Sequence, residues 1–262
     1  MIKRDYNENE RAWLWLSRVF GANVRAVDAL LPKGASPAEL RRDVLCGASL
    51  PTSPVVKEEK RALLKASADD ASIDRYVDWL CGRGVYAVTR ESSDYPKLLG
   101  EIYDPPTVLY VIGRLQSDLK LPIAVIGSRK SSDYGIRMAE FFGAELAKRE
   151  GCVISGLAVG CDSAAASGAL SVADSAYPTI AVLGSGVNVV YPQKNRRLYC
   201  EIAERGAVIS ELLPNQPPSK LSFPQRNRII SGMARGVLVV EAGEHSGTSI
   251  TAEFALEHGR DV

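Results

Sequence analysis

PIAVIGSRKSSDYG, residues 122–135, opens as an unbroken apolar run and halts it at Gly127-Ser128-Arg129. Apolar residues that run on without alternating describe a short strand covered on both faces. From Tyr134 the spacing becomes helical, with Ile136, Ala139, Phe142 and Leu146 on one side. The stretch is therefore a strand–loop–helix joint, and in open α/β sheets such joints are where ligands bind. A single joint of this kind favours an ordinary surface turn, so the rest of the chain has to decide.

Working outward, the same rhythm repeats. Strands are expected near 122–127, 152–155, 179–183, 207–210 and 236–240, and helices near 134–149, 162–173, 194–204, 224–233 and 248–258. Five successive βα units predict an α/β fold, a doubly wound parallel sheet with right-handed crossovers. The last residues, Gly259-Arg260-Asp261-Val262, read as the start of a sixth strand, so the domain is expected to be truncated at its C-terminus. Before the sheet, residues 8–80 read as helical. Trp13, Leu16 and Phe20 share one face, a break follows at Pro32-Lys33-Gly34, and Ser36-Pro37 opens another helix as cap and first-turn proline. Short strands are expected around 85–89 and 108–112, with prolines between them.

Composition sets limits on function. The chain has 262 residues, 46% hydrophobic and 24% charged, the balance of a globular protein with a packed core. No apolar run approaches the roughly 20 residues needed to cross a bilayer, and no apolar stretch follows the basic N-terminus, so neither a membrane partner nor a secretory signal is expected. Five cysteines, at 46, 81, 152, 161 and 200, form no CxxC pair and read as reduced thiols of a cytoplasmic protein. With only two histidines, a zinc site is not expected. The net charge is +1, so any anion site has to be a local cluster rather than a global field.

The loops after the strands supply such a cluster. They read Gly127-Ser128-Arg129, then Ser155-Gly156 with Leu157 to Gly160, then Gly184-Ser185-Gly186, then Glu211, then Glu241-Ala242-Gly243. All fall at carboxyl ends of parallel strands, hence on one edge of the sheet. Glycines let backbone N–H groups approach a ligand, hydroxyls add donors, and Arg129 offers a fork matched to phosphate. One Gly/Ser loop favours the plain turn; three on one edge favour an anion site. The dinucleotide fingerprint is missing, since GSGVNV (184–189) lacks its third glycine and no acid follows the first strand by about 20 residues. No GxxxxGK[ST] is present either, and no cofactor is expected.

A second informative stretch is PPSKLSFPQRNRIISGMARG, 217–236. It holds Lys220, Arg226, Arg228 and Arg235 around Phe223, and no acid lies between Glu211 and Glu241. Cations for phosphates and a ring for a base are what single-stranded nucleic acid requires. Phe223 reads either as a core ring or as a stacking platform, and stacking is the expectation adopted. The arginines read as functional because no acid nearby in sequence accounts for them.

These residues carry a resemblance. The segments DYPKLL (94–99), DPPTVLYVIG (104–113), IAVIGSRKSSDYG (123–135), VISGLAVGCDSAAASGAL (153–170), IAVLGSGVNVVYPQKNRRL (180–198), ISE (209–211), FPQRNRIISG (223–232) and VLVVEAGEHSGTSITAEFALEHGRDV (237–262) are similar to those of the DNA-processing protein A (DprA/Smf) family. It covers residues 76–262, and the ordered FPxRNRII and VVEAGxxSG motifs make it specific. The resemblance implies a helical, SAM-like domain over 1–75 and an extended Rossmann-like DNA-binding domain over 76–262. It further implies a cytoplasmic, non-enzymatic role: a single-stranded DNA-binding mediator of recombination that protects incoming strands in natural transformation and helps load a RecA-type recombinase, as a homodimer. The DNA-binding residues it implies are Ser128 and Arg129, with Lys220, Phe223, Arg226 and Arg228; the Gly/Ser loops and the same motif add Gly127, Ser155, Gly156, Gly184, Ser185, Gly186 and Asn227. One departure is Ala166, where the family usually has histidine. Two other readings stand beside this one. A nucleoside-monophosphate glycosidase would use a PGGxGTxxE loop, which AGEHSGTSITAE (242–253) matches only at Gly247, Thr248 and Glu253. A nucleotide-sensing binding protein of the same layout is the third.

Overall fold

The computed structural model describes residues 4–31, 34–243 and 247–262. The expected break at Pro32-Lys33 and residues 244–246 of the last motif lie outside these. Five helices come first: α1 (Glu8–Phe20), α2 (Val24–Asp28), α3 (Pro37–Leu45), α4 (Glu58–Ala66) and α5 (Asp70–Cys81). Their starts are written in the sequence. Asn7 and Glu10 form a reciprocal capping box on α1, Ser36 with Pro37 opens α3, and Asp69 caps α5. Helix α5 runs through the expected division between residues 75 and 76, so the helical part extends to Cys81.

Then follow β1 (Tyr86–Thr89), α6 (Lys97–Gly100), β2 (Val108–Gly113), β3 (Pro122–Gly127), α7 (Asp133–Lys148), β4 (Cys152–Ser155), α8 (Cys161–Leu170) and β5 (Thr179–Val182). The last elements are α9 (Arg196–Arg205), β6 (Ala207–Ser210), α10 (Ser222–Gly232), β7 (Gly236–Glu241) and α11 (Gly247–Glu257). One seven-stranded sheet has the order β1-β2-β6-β5-β4-β3-β7. Its five strands β6, β5, β4, β3 and β7 are parallel neighbours, as the βα rhythm predicts.

The sheet is not purely parallel, which corrects the sequence expectation. Strand β2 pairs antiparallel with β6, Tyr110 opposite Ser210, and β1 pairs antiparallel with β2. A parallel partner would need a crossover of about a dozen residues or more. No helix separates β2 from β3, so the chain turns back and β2 runs opposite to the other strands.

Helices cover both faces. On β2, Leu109 and Val111 join the core shared with α6, α10 and α11, while Val108 and Tyr110 join the core under α1 and α5. That is the two-residue period of a strand buried on both sides. Val125 and Val153 pack against α7 and α8, and Ala181 and Val208 against α8 and α9. At the outer edge, the free side of β1 is closed by a side chain. The Tyr6 hydroxyl accepts from the Ala87 N–H at 2.9 Å and donates to the Ala87 carbonyl at 3.2 Å. Beside β7, Gly236 makes a single parallel bridge to Asp261, where the sequence suggests a further strand.

Candidate nucleic-acid interface

The carboxyl ends of the parallel strands open into a cleft of about 720 Å³. Its rim is set by the joint at the end of β3. The Ser128 N–H donates to the Glu241 carbonyl at 2.7 Å, and the Ser131 hydroxyl donates to the Ser128 carbonyl at 2.6 Å. Ser132 caps α7 by accepting from the Gly135 N–H at 3.1 Å. These bonds shape the loop and leave the Arg129 side chain exposed, with no ion pair among the described residues.

The N-terminus of α7 does not wait for a phosphate. The Glu241 carboxylate accepts from the Ser132 N–H at 3.1 Å and from the Ser132 hydroxyl at 2.7 Å. A carboxylate over the first helical turn satisfies both the free N–H groups and the dipole. Any side chain at Gly135 would collide with this carboxylate. The expected phosphate seat of a dinucleotide fold is thus filled by the protein itself, which accounts for the missing dinucleotide fingerprint.

A cationic and aromatic surface lies beside it. Phe223 sits in the first turn of α10, not in the loop before it, because Pro224 is tolerated where a helix begins. Its half-buried ring rests on Gly184, where an added Cβ would come within 2.6 Å of the ring edge. The Arg129 guanidinium lies 5.3 Å from the Phe223 ring centroid, and the Tyr191 ring lies 5.5 Å away on a 36° tilt. Lys130 and Lys220, both exposed, line the same cleft, and Asn227 donates to the Gly247 carbonyl at 3.3 Å on its α11 side. A row of cation, ring and ring, flanked by two further cations, matches phosphates and base faces together.

Other predicted residues serve this row from beneath. Arg226 is only 5% exposed. Its guanidinium donates to the Gly156 carbonyl at 2.9 Å and to the Val182 carbonyl. Burial pushes the Arg226 pKa down to about 10, against the pull of Asp162. Burial also pushes the Asp162 carboxyl up, opposed by Arg226 and by the Gly156 and Ala158 N–H groups it accepts from. Gly156 lies directly under the guanidinium and Ser155 is fully buried. Ser185 donates to the Val189 carbonyl at 2.8 Å, and Gly186 is packed against the Leu213 and Pro214 carbonyls. Ser155, Gly156, Ser185 and Gly186 build the floor of the edge, while Arg226 and Asp162 also line the cleft.

Arg228 corrects the sequence reading outright. It has acid partners, brought from far along the chain: Glu211 at 2.7 Å and Asp104 at 2.9 Å. All of Glu211 and Arg228 but a few per cent is buried. Helix α10 turns Arg226 and Arg228 to different surroundings, and neither is a free cation. Lys130 and Tyr191, which sequence reasoning passed over, line the cleft together with Thr248. The signal for Tyr191 was available: an aromatic in the loop that follows a Gly-Ser-Gly strand end.

The fold and cleft define a doubly wound α/β protein with a cationic, aromatic groove at the carboxyl edge of its sheet. The chain belongs to the DNA recombination-mediator protein A family, whose model matches residues 86–262. Among relatives, Protein Smf of Synechocystis is 43% identical over 179 residues, 67% of this chain and 44% of that protein. The X-ray structure of DNA processing protein A from Streptococcus pneumoniae is 31% identical with a TM-score of 0.69, covering 99% of this chain and 86% of that one. A structure of DNA processing protein A from Helicobacter pylori, solved for its single-stranded DNA binding mode, is 27% identical with a TM-score of 0.59, covering 67% and 78%. The chain spans about half the length of the curated Smf relatives it matches.

Proposed function

We propose that this protein binds single-stranded DNA in the cleft between Arg129 and α11, without catalysis, and acts as a recombination mediator. The observation that carries the reading is the row of Arg129, Phe223 and Tyr191 between Lys130 and Lys220. In this reading Arg129, Lys130 and Lys220 hold phosphates, Ser128 and Asn227 add polar contacts, and Phe223 and Tyr191 stack on bases. A RecA-type recombinase and a second copy of the chain are its protein partners, and its place is the cytoplasm, in DNA uptake and recombination. The glycosidase reading has less support, because Glu253 is exposed on α11 and does not line the cleft.

Binding is expected to favour a single strand over a blunt duplex of equal length. Three exposed cations imply a slope of roughly −2 for log K against log salt concentration, at about −0.7 per neutralised phosphate. Fluorescence anisotropy across a salt series checks this; equal affinity for both forms, or no salt dependence, rejects the reading.

Phe223→Ala separates stacking from packing. The half-exposed ring is expected to contribute about 1–3 kcal/mol of DNA binding, with a small shift in melting temperature. Anisotropy and a thermal melt on the same preparation measure both. A large loss of stability with full affinity in the folded fraction makes Phe223 a core residue instead.

A further inference from the structure

Away from the DNA cleft, a second cavity of about 630 Å³ lies between α1, α5 and the loop that follows β6. That size suits a small organic ligand. Arg18, Arg75, Tyr76, Trp79, Asn215 and Gln216 line it, and no carboxylate does among the described residues. Neither guanidinium has an ion-pair partner there, although most other arginines of the helical part are paired, as in Arg11 with Asp74 and Arg41 with Asp70.

The walls are built rather than loose. The Tyr76 hydroxyl donates to the Tyr110 hydroxyl at 2.9 Å, and that oxygen also bonds Ser17 at 2.5 Å, so the ring is pinned to the core. Tyr76 and Trp79 lie within 12° of parallel, with centroids 6.0 Å apart. Arg18 sits 4.8 Å from the Tyr76 centroid and is held through one nitrogen alone, Nη1, which donates to the Ser72 carbonyl and hydroxyl at 3.1 Å each. Its other two nitrogens have no protein partner among the described residues. Arg75 is exposed at the mouth.

Two parallel aromatic rings, two unpaired guanidiniums and two side-chain amides fit one ligand chemistry: a planar heterocycle joined to a phosphate. We propose that this cavity is a nucleotide-binding site, with the base beside Tyr76 and Trp79, its edge on Asn215 or Gln216, and the phosphate on Arg18 and Arg75. The site does not depend on the proposed cleft, but the chain links the two. Residues 214–216 are tied to the β5 loop through Gly186 N–H to the Gln216 carbonyl at 2.8 Å and Asn188 N–H to the Pro214 carbonyl at 3.1 Å. The β5 loop leads on to Tyr191, and the 214–216 segment leads on to Lys220. The ligand is accordingly a free nucleotide or a nucleotide of a strand that continues out of the cleft.

Calorimetric titration with dAMP tests the site. One-to-one binding is expected at this cavity, at least tenfold weaker for Arg75→Ala and unchanged for Lys148→Ala, whose ammonium is paired with Glu145 away from both sites, with the melting temperature of Arg75→Ala preserved because that side chain is exposed. Deoxyadenosine and inorganic phosphate should each bind at least tenfold more weakly than dAMP. No dAMP binding, equal binding by Arg75→Ala, an equal loss through Lys148→Ala, or equal binding of inorganic phosphate each overturns the proposal. The two sources separate by competition. If dAMP weakens a long oligodeoxythymidylate but not a short one, the site takes part of the strand; if it weakens neither, the ligand is the free nucleotide. Strand binding is read separately by anisotropy, so a failure of the cleft reading leaves this result intact.

Discussion

Arg226→Met is expected to lower stability by about 3–5 kcal/mol, the cost of stripping a buried charge of its partner. The residue was expected from its sequence neighbours to hold DNA. In the fold it lines the cleft, and its guanidinium satisfies the carbonyls of Gly156 and Val182, one beyond the end of β4 and the other at the end of β5, and offsets the buried Asp162 carboxylate. Methionine fills the volume but leaves both carbonyls without that donor and the carboxylate without a counter-charge. Urea unfolding gives the number through the midpoint at constant slope. The folded fraction should keep most of its affinity for single-stranded DNA. A loss below about 1 kcal/mol would mean that water takes over these contacts and that Arg226 is free to serve a ligand.

Arg129→Ala is the counterpart, with its effect on binding rather than on folding. The side chain is exposed and lies against the face of Phe223. A charge-assisted contact to phosphate contributes about 1.5–3 kcal/mol, so affinity should fall roughly ten- to a hundredfold while the melting temperature holds. Lys148→Ala is the control, since its ammonium is paired with Glu145 on the exposed side of α7 and should change affinity less than twofold. Arg41 would be a poor control, being buried and bonded to the Ala68 carbonyl and Asp70. Equal small losses for Arg129→Ala and Lys148→Ala would reduce the β3 joint to a plain turn.

The parallel strands and the helices between them were legible because each strand is an apolar run, closed by glycine or serine in β3 to β6 and by Glu241 in β7, and each helix shows its own spacing. What escaped the reading has a common cause: it depends on residues far apart in the chain. The antiparallel place of β2 beside β6 is one such case. Arg228 is another. Its partners stand at 104 and 211, and neither is visible to an argument about neighbours in sequence. The same limit explains the Gly/Ser loops, which share an edge as predicted yet divide into a rim at 127–129 and a floor at 155–156 and 184–186. Only the packing of Phe223 on Gly184 and of Arg226 on Gly156 makes that division. Phe223 was expected in the loop just before α10 and is the second residue of that helix, since proline reads as a helix boundary until the helix is seen to begin before it.

Tyr6 carries a consequence for handling. Its hydroxyl occupies the only backbone N–H and C=O that Ala87 would otherwise offer to another strand. Open sheet edges recruit further strands and seed chain-to-chain growth. Proteolytic clipping between Tyr6 and α1 would therefore leave the catalogue of core contacts almost intact and still convert the outer strand into a template. Such a nicked sample would pass a melting assay and then turn cloudy on storage, with light scattering rising well before any loss of helical signal.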